Sequence, residues 1–454
     1  MTIEFIAILF VIFTFLFLLS GIPVAIVLTG NSLLFASIGI VFDFFDYSYL
    51  IAIPNRIFGI MTNQNLLAVP LFIFMGLMFE KSKIADELLT AMNSLYSSTK
   101  GGLAISVIIV GVLMGASTGI VGASVVTLGL LSLPVMMKNN YPPRLSCGVI
   151  CASGTLGQII PPSLVLILLA DVLSSAYQQA QLNAGIFSPE NVTISDLFAG
   201  ALLPGILLPI LYIIYIKLIK PASISNKNNV SNMSMNINFT SSFFPPIILI
   251  ILVLGSIIFG IATPSEAAAL GALGALIISY LKNRLNKTVL EESSKETIKL
   301  TSMVFFILIG ATFFSLVFRG LEGESLIHNL LVHGPDNREL ALIITLLIMF
   351  FLGFILDFIE IIYIIIPLFG PILFSFGFDP IWVGILIAMV LQTSFLTPPF
   401  GFSLFYLRGV APKNISTYDI YMGVIPFVLI QLFVIGIIYF FPTLATIIPD
   451  LIMM

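Results

Sequence analysis

Charged side chains are scarce in this sequence. Asp, Glu, Lys and Arg make up 9% of the 454 residues, whereas the apolar types AVILMFWYC make up 59%. A water-soluble domain carries about a quarter charged residues. Because so few polar side chains cannot cover a surface in water, we expect a lipid bilayer to surround the protein. The net charge of −4 adds little to this conclusion.

Histidine and cysteine are rarer still, and their scarcity excludes several kinds of site. The two histidines, His328 and His333, fall in a polar connector, which excludes a histidine-based site inside the membrane. The two cysteines, Cys147 and Cys151, lie four residues apart in an apolar run. We interpret them as ordinary helix residues, because no spacing typical of a redox, metal or haem motif surrounds them.

The sequence contains long runs without any charged residue. Phe5–Phe42, Gly101–Met137, Leu145–Ala170 and Ile381–Leu407 contain no Asp, Glu, Lys or Arg, and a membrane-spanning helix needs about 20 apolar residues. Met1–Ser20 lacks the basic start of a signal peptide, so we interpret it as a retained span. The predicted fold class is an all-α polytopic membrane protein.

Prolines reveal an internal repeat. Four prolines of the first half recur in the second half at a common spacing of 237 positions, and a looser match pairs Pro23 with Pro264. We predict a first repeat over residues 1–216, a polar linker over residues 217–242 and a second repeat over residues 243–454. The matched prolines are Pro134, Pro143, Pro161 and Pro162, with Pro371, Pro380, Pro398 and Pro399.

Equivalent loops of the two repeats differ in positive charge. The loop Asp171–Asp196 has no Lys or Arg and is predicted to face outside, whereas its counterpart contains Arg408 and Lys413 and is predicted to face the cytoplasm. The two halves are therefore predicted to be inverted-topology repeats. Such repeats are typical of transporters, with the binding site at the repeat interface.

Two apolar segments are interrupted in a way that predicts re-entrant hairpins. As one helix, Gly101–Met137 would be about 55 Å long, which is too long for a single crossing. Residues 115–119 (Gly-Ala-Ser-Thr-Gly) interrupt it and are the predicted hairpin tip. In the second repeat, residues 357–360 (Asp-Phe-Ile-Glu) interrupt an apolar region in the same way and predict a second tip.

The proline pairs are a second kind of interruption. Pro161-Pro162 and Pro398-Pro399 each remove two backbone donors and block the local helical hydrogen bonds. Unwound backbone at membrane depth is tolerated only inside protein or against a cavity. Its carbonyls can coordinate a cation, and half-helix N-termini can face an anion. We therefore predict broken helices near residues 154–163 and 393–401 as parts of a binding site.

Ionisable residues next to apolar segments are candidates for function. Asp357 and Glu360 are the clearest of them, because both lie at a predicted hairpin tip. Residues 263–266 (Thr-Pro-Ser-Glu) instead match a capping box, with Thr as N-cap and Glu as its partner. Arg56 and Arg319 border apolar segments and are interpreted as interface anchors.

Together these motifs resemble the large membrane subunit of tripartite ATP-independent periplasmic (TRAP) transporters, over essentially the whole chain. The resemblance implies a scaffold and a mobile transport domain that moves as an elevator and contains two re-entrant hairpins and two broken helices. The matching stretches are residues 70–76, 115–119, 154–163 (Gly-Thr-Leu-Gly-Gln-Ile-Ile-Pro-Pro-Ser), 263–269 and 396–401 (Leu-Thr-Pro-Pro-Phe-Gly).

The resemblance also implies site residues, with sodium as coupling ion and no other cofactor. The first sodium site would use Gly115, Ser117, Gly119, Gly154, Thr155 and Gly157. The second would use Asp357, Thr397 and Gly401. Substrate contacts are expected from Ser117, Pro161, Pro162, Ser163, Thr393, Pro398 and Pro399.

One departure affects the second sodium site. The commoner family pattern follows the hairpin aspartate with Pro and a hydroxyl residue, whereas Phe358 and Ile359 follow Asp357 here. The hydroxyl ligand is therefore missing at that position. This variant resembles the branch associated with 2-oxoacid, mannitol or chloroaromatic uptake.

The expected function is sodium-coupled uptake of a small organic anion, such as a 2-oxoacid, across the bacterial inner membrane. The resemblance implies a periplasmic substrate-binding protein and a small four-helix membrane subunit as separate partners. A self-sufficient carrier of the same inverted-hairpin class is the alternative. An intramembrane serine enzyme is disfavoured because Ser117 has no histidine base in any span, and a passive channel because sodium-type re-entrant sites suit coupled transport.

Overall fold

The computed structural model describes residues 3–96, 99, 101–219, 239–332 and 338–453. All regular secondary structure in these residues is helical, as the predicted fold class requires. The helices of the first half are α1 (Ile3–Leu19), α2 (Val24–Val41), α3 (Ser48–Ile51), α4 (Ile53–Thr62), α5 (Ala68–Lys81), α6 (Ile84–Tyr96), α7 (Gly102–Thr118), α8 (Val121–Lys138), α9 (Pro143–Thr155), α10 (Leu164–Asn183) and α11 (Ile194–Ile219).

The second half continues the same order of helices. Its helices are α12 (Phe239–Ile258), α13 (Pro264–Leu281), α14 (Lys287–Gly320), α15 (Gly323–Val332), α16 (Arg338–Leu352), α17 (Phe358–Ser375), α18 (Pro380–Leu396), α19 (Phe402–Val410), α20 (Thr417–Phe440) and α21 (Thr443–Met453). Two short 3₁₀ turns, Asn65–Leu67 and Leu156–Gln158, lie in the first half.

Seven helices of the described residues are long and apolar enough to cross a membrane. An eighth crossing is formed if Ser48–Thr62 and Asn65–Lys81, which bend by 55° at their junction, count as one broken span. The seven helices are α2, α8, α11, α13, α14, α17 and α20.

Helix boundaries repeat as the prolines predict. Val121–Lys138 and Phe358–Ser375 match end to end at the spacing of 237 positions, and the next helices both begin on a matched proline. The bent pair within residues 48–81 instead corresponds to a single straight helix, α14. Pro70 explains this difference, because it lacks the N–H that a continuous helix would need, and α14 contains no proline.

Left-handed backbone recurs at matched positions of the two halves. Asp43 and Asn283 have φ of 57° and 55°, and each ends the turn after an equivalent span. Left-handed residues allow the chain to reverse directly after a helix. The other matched pairs are Lys83 with Glu322, Gly21 with Gly260, and Asn140 with Gly377.

The chain divides into two compact units, each assembled from three separate segments. Unit 1 comprises Met1–Leu66, Leu168–Thr193 and Lys299–Pro380. Its aromatic core places the Phe10 ring 5.3 Å from Phe35 and 5.0 Å from Phe314, centroid to centroid.

Unit 2 comprises Leu67–Ile167, Ile194–Ile298 and Ile381–Met454. Glycines bring its helices α9 and α20 into backbone contact: a β-carbon on Gly148 would overlap the Gly423 carbonyl, and one on Gly423 would overlap the Arg144 carbonyl. Small residues permit this close approach of membrane helices.

Several sequence expectations change in detail. Asp171 lies inside α10, so the loop that follows covers only residues 184–193. His328 belongs to the short helix α15 rather than to an irregular connector. Residues 220–238, most of the predicted linker, and His333 lie outside the described residues. Both cysteines are buried and unbridged.

The capping box predicted at Thr263 is present. The Thr263 hydroxyl oxygen accepts the Glu266 N–H at 3.3 Å, and the Thr263 N–H donates to the Glu266 carboxylate at 2.8 Å.

Candidate functional site

The first hairpin turns over two residues. α7 ends at Thr118 and α8 begins at Val121, so only Gly119 and Ile120 lie between them. Gly119 has φ of 60°, a left-handed conformation that favours glycine, and its N–H donates to the Gly115 carbonyl at 3.0 Å. The turn is narrower than the predicted tip at residues 115–119, because the residues before Gly119 remain helical.

The first helix break follows α9 in unit 2. The chain tightens into the 3₁₀ turn Leu156–Gln158, leaves helical geometry at Ile159 and resumes at Leu164. The Ser163 hydroxyl spans the break and donates to the Gln158 carbonyl at 2.8 Å. The Pro161-Pro162 peptide bond is cis.

The hairpin and the break meet through glycine backbone. A β-carbon on Gly115 would lie 2.7 Å from both the Cα and the nitrogen of Gly157. A β-carbon on Gly119 would lie 3.2 Å from the nitrogen of Leu164. The C-terminal ends of α7 and α9 therefore lie beside the N-terminal ends of α8 and α10. Helix C-termini favour cations and helix N-termini favour anions. The junction therefore favours the binding of both a cation and an anion.

Hydroxyl groups at the junction are fixed by their own helices. The Ser117 hydroxyl donates to the Met114 carbonyl at 3.0 Å, and the Thr155 hydroxyl donates to the Ala152 carbonyl at 2.9 Å. Both side chains are buried. Because each proton is used within the helix, the oxygen lone pairs remain as acceptors. Such oxygens, with helix-end carbonyls, are the ligands that alkali cations take in transporters.

The second break, at residues 397–401, is also in unit 2 and is a tight turn. The Gly401 N–H donates to the Thr397 carbonyl at 3.0 Å, and a β-carbon on Gly401 would lie 2.6 Å from the Phe395 carbonyl. The Ser403 hydroxyl donates to that same carbonyl at 2.7 Å, and the Tyr421 hydroxyl donates to the Pro399 carbonyl at 2.9 Å. This break is more exposed than the first, and its Pro398-Pro399 bond is also cis.

Asp357 and Glu360 belong to unit 1 and form a capping box at the start of α17. The Asp357 carboxylate accepts the Phe358 N–H at 2.7 Å, and the Glu360 carboxylate accepts the Asp357 N–H at 3.2 Å. The turn between α16 and α17 is therefore residues 353–357, slightly earlier than predicted, and Glu360 lies within the helix.

The predicted residues fall into two groups. All six candidates for the first sodium site lie in unit 2 around one junction, together with Pro161, Pro162 and Ser163. The candidates for the second sodium site are divided, since Asp357 lies in unit 1 whereas Thr397 and Gly401 lie in unit 2.

Sequence reasoning missed a half-buried polar pair in unit 1. Asp171, in α10, accepts a hydrogen bond at 2.7 Å from the Asn63 amide, which lies at the bend between α4 and α5. The signal was present, because Asp171 follows directly on an uncharged run. Arg319, predicted to be an interface anchor, pairs with Glu324 at 2.8 Å and donates to the Gln179 amide oxygen at 2.8 Å.

A cavity of about 180 Å³ lies next to the first break, with Ile160 and Pro161 in its wall. Its walls are apolar side chains of α7, α11 and α12, such as Leu113, Leu202 and Ile250. An organic anion would find no hydrogen-bond donor there, so this cavity is unsuited to it.

Comparison with known proteins identifies the family to which the chain belongs. The family described as "Tripartite ATP-independent periplasmic transporter, DctM component" matches residues 10–444. The C4-dicarboxylate TRAP transporter large permease DctM of Vibrio cholerae is 27% identical, covering 95% of each chain. The ectoine/5-hydroxyectoine large permease UehC of Ruegeria pomeroyi is 26% identical, covering 96% of each. The sialic acid large permease SiaM of Vibrio cholerae is 25% identical, covering 87% of this chain and 89% of the relative.

A solved structure shares the fold. The YdaH transporter of Alcanivorax borkumensis superposes with a TM-score of 0.64 at 12% identity, covering 97% of this chain and 99% of its own. The family match over nearly the whole chain, together with the apolar helices, shows that the chain belongs to the DctM family of TRAP transporter large permeases, and is a multi-pass transport protein of the bacterial inner membrane rather than an enzyme.

Proposed function

We propose that this permease takes up a small organic anion and couples its entry to a sodium gradient. The observation that carries the proposal is the junction in unit 2, where Gly115 contacts Gly157 and Gly119 contacts Leu164. Two helix C-termini and two helix N-termini meet there, so partial charges of both signs lie side by side. A cation and an anion bound together at such a junction would each favour the binding of the other.

Sodium is the proposed coupling ion. The first site would use oxygens of Ser117 and Thr155 with carbonyls at the glycines of the junction, namely Gly115, Gly119, Gly154 and Gly157. The further proposed sodium ligands are Asp357 in unit 1, and Thr397 and Gly401 in unit 2. Asp357 is the sole carboxylate in either set, so a bound cation there would offset its charge.

The proposed substrate is a carboxylate, such as a 2-oxoacid. Two of the relatives named above are permeases for C4-dicarboxylates and for sialic acid, which are acids. The positive ends of α8 and α10 support the same class, because they would stabilise a carboxylate near Ser163. The proline pairs and Thr393 would complete the substrate contacts.

The proposed partners follow from the three-part family. A periplasmic binding protein would deliver the anion, and a small four-helix membrane subunit would pair with this chain. We further propose that a transport domain holding both hairpins and both broken helices moves as an elevator within a fixed scaffold.

The experiment is uptake into proteoliposomes that contain this chain, its small subunit and the loaded binding protein. A radiolabelled acid should accumulate when sodium is higher outside than inside, and should not accumulate when potassium replaces sodium. Equal accumulation in both salts would contradict sodium coupling. Accumulation without the binding protein would instead indicate a self-sufficient carrier.

A further inference from the structure

Two glutamines at the helix breaks are fully buried. Gln158 ends the 3₁₀ turn that precedes Pro161, and Gln392 lies in α18, just over one turn before Thr397. Both have 0% exposed surface. Among the residues that the structure describes, neither the amide nitrogen nor the amide oxygen of either side chain has a hydrogen-bond partner.

An unpartnered buried amide is costly to a fold. Most buried polar side-chain atoms in proteins have a partner, and each exception calls for a functional explanation. Gln431, also fully buried in unit 2, has a partner for its donor, since its amide nitrogen donates to the Tyr212 hydroxyl at 2.9 Å, although its amide oxygen has none in the described part of the chain. In Gln158 and Gln392, by contrast, the amide nitrogen also has no partner among the described residues. Each of these two glutamines precedes a proline pair in the sequence.

Three hydroxyl side chains near the breaks have already used their protons. The hydroxyls of Thr393 and Thr397 donate to backbone carbonyls of α18, both at 2.7 Å. Ser163 donates to the carbonyl of Gln158 itself. The prolines have no N–H. A carboxylate or an oxo group only accepts hydrogen bonds, so it needs donors that these residues do not supply.

We propose that the side-chain amides of Gln158 and Gln392, one at each helix break, donate hydrogen bonds to the transported organic acid. This inference rests on the proposed function and deepens it by assigning two specificity-determining residues. Gln158 directly follows Gly157, whose backbone contacts Gly115 at the junction with the hairpin, and we assign its amide to a carboxylate held by the helix N-termini. Gln392 would then bind a second polar oxygen of the acid, such as a 2-oxo or a second carboxylate oxygen.

Neutral amides suit this task. A donor without charge binds an acid without trapping it through a permanent ion pair, and it rejects analogues that lack the oxygen. Replacing either glutamine by Leu should therefore weaken the binding of the acid. The protein without bound acid should be as stable as wild type or more stable, because an unpartnered amide is removed.

The test uses the reconstituted three-part complex with Gln158→Leu, Gln392→Leu and the same changes to Met. The probes are radiolabelled pyruvate, 2-oxoglutarate and succinate, with sodium activation and thermal unfolding measured in parallel. We expect the half-saturating concentration of the acid to rise at least about 10-fold in the variants at either position. The half-saturating sodium concentration, measured at an acid concentration that saturates each variant, should stay near wild type, and the thermal midpoint should stay near wild type or rise. The control Gln431→Leu should lower the thermal midpoint and leave the half-saturating acid concentration unchanged.

Two negative results are distinguishable. Wild-type acid affinity in both the Leu and the Met variants overturns the inference while the proposed function stands. An equal loss of acid and sodium affinity also overturns it, since it indicates a structural role. No sodium-driven uptake of any probe by the wild-type complex contradicts the proposed function, and the inference with it.

Discussion

Gly115 and Gly157 lie so close that neither has room for a side chain: a β-carbon on Gly115 would lie 2.7 Å from the Gly157 Cα, and one on Gly157 would lie 2.9 Å from the Gly115 Cα. The contact joins the C-terminal end of α7 to the 3₁₀ turn that follows α9. Because backbone packs against backbone here, carbonyl oxygens are the polar groups available at this contact. A dehydrated cation requires such oxygen ligands.

The first prediction concerns this contact. Gly115→Ala should force the hairpin from the 3₁₀ turn, because backbone atoms cannot rotate away as a side chain can, and should cost about 1–3 kcal/mol of stability. The half-saturating sodium concentration for uptake should rise at the same time. Gly436→Ala is the matched control, since nothing lies within 4 Å of its added β-carbon. Wild-type sodium activation in Gly115→Ala would remove the contact from the site.

The second prediction separates charge from capping at Asp357. Asn is about as good an N-cap as Asp, so Asp357→Asn should keep the start of α17 and the thermal midpoint. Sodium-driven uptake should be lost, because the carboxylate is gone. Thr263→Asn changes the cap residue of the matching box in α13 and should leave uptake intact. Normal sodium dependence in Asp357→Asn would exclude this carboxylate from coupling.

The third prediction is the opposite orientation of the two repeats. Ser188, in the loop after α10, and Lys413, in the loop after α19, are both exposed. A cysteine at Ser188 should react with an impermeant thiol reagent added to the periplasmic side, whereas one at Lys413 should not. The native cysteines are buried and should contribute little background. Labelling of both positions from the outside would contradict an inverted repeat.

The fourth prediction concerns pH and the charged connection between α6 and α13. Burial raises the pKa of Glu87, but the hydrogen bond from Lys282 and the charges of Lys282 and Arg284 outweigh it, so the pKa is lowered overall. A lowered pKa stabilises the fold above the pKa of the unfolded chain, and the contribution is lost as pH falls through the folded pKa.

Glu87→Gln should therefore lower the thermal midpoint at pH 7, at a cost of about 1–3 kcal/mol for the charge-assisted contacts of Glu87 with Lys282 and Arg284 that are lost. The difference from wild type should shrink as the pH is lowered below the usual glutamate range. The control is Glu291→Gln, at an exposed position of α14. A difference that grows on acidification would contradict the assignment.

The positions of the two helix breaks could be predicted from the sequence, because proline disrupts helical hydrogen bonds close to its own position. The breaks at Pro161 and Pro398 were marked by two proline pairs in one register, each of which removes two backbone donors. A pair alone does not end a helix, since α12 continues across Pro245-Pro246. The repeat was visible because the matched prolines recur at a common spacing of 237 positions. The bend before α5 was not predicted, although Pro70 provides a local reason for it.

The parts that depend on tertiary contacts could not be predicted. Capping logic was applied at Thr263 but not at Asp357, where the same pattern of cap residue and glutamate three positions later has an aspartate in the first place. Asp171 was assigned to a loop because a lone carboxylate usually ends a span, and only the structure shows Asn63 bonded to it. The unpartnered state of Gln158 depends on its surroundings and not on its neighbours in sequence.

The most direct test of the cation site is equilibrium binding of radioactive sodium to the purified protein. Removing both hydroxyls at the junction, with Ser117→Ala and Thr155→Val, should weaken sodium binding at least about 10-fold, since each is a proposed oxygen ligand. Ser106→Ala is the control, because Ser106 is a buried residue of the same helix α7 whose hydroxyl donates to the Gly102 carbonyl at 3.0 Å. It should bind sodium like the wild type. Sodium binding by the double variant with wild-type affinity would contradict the account.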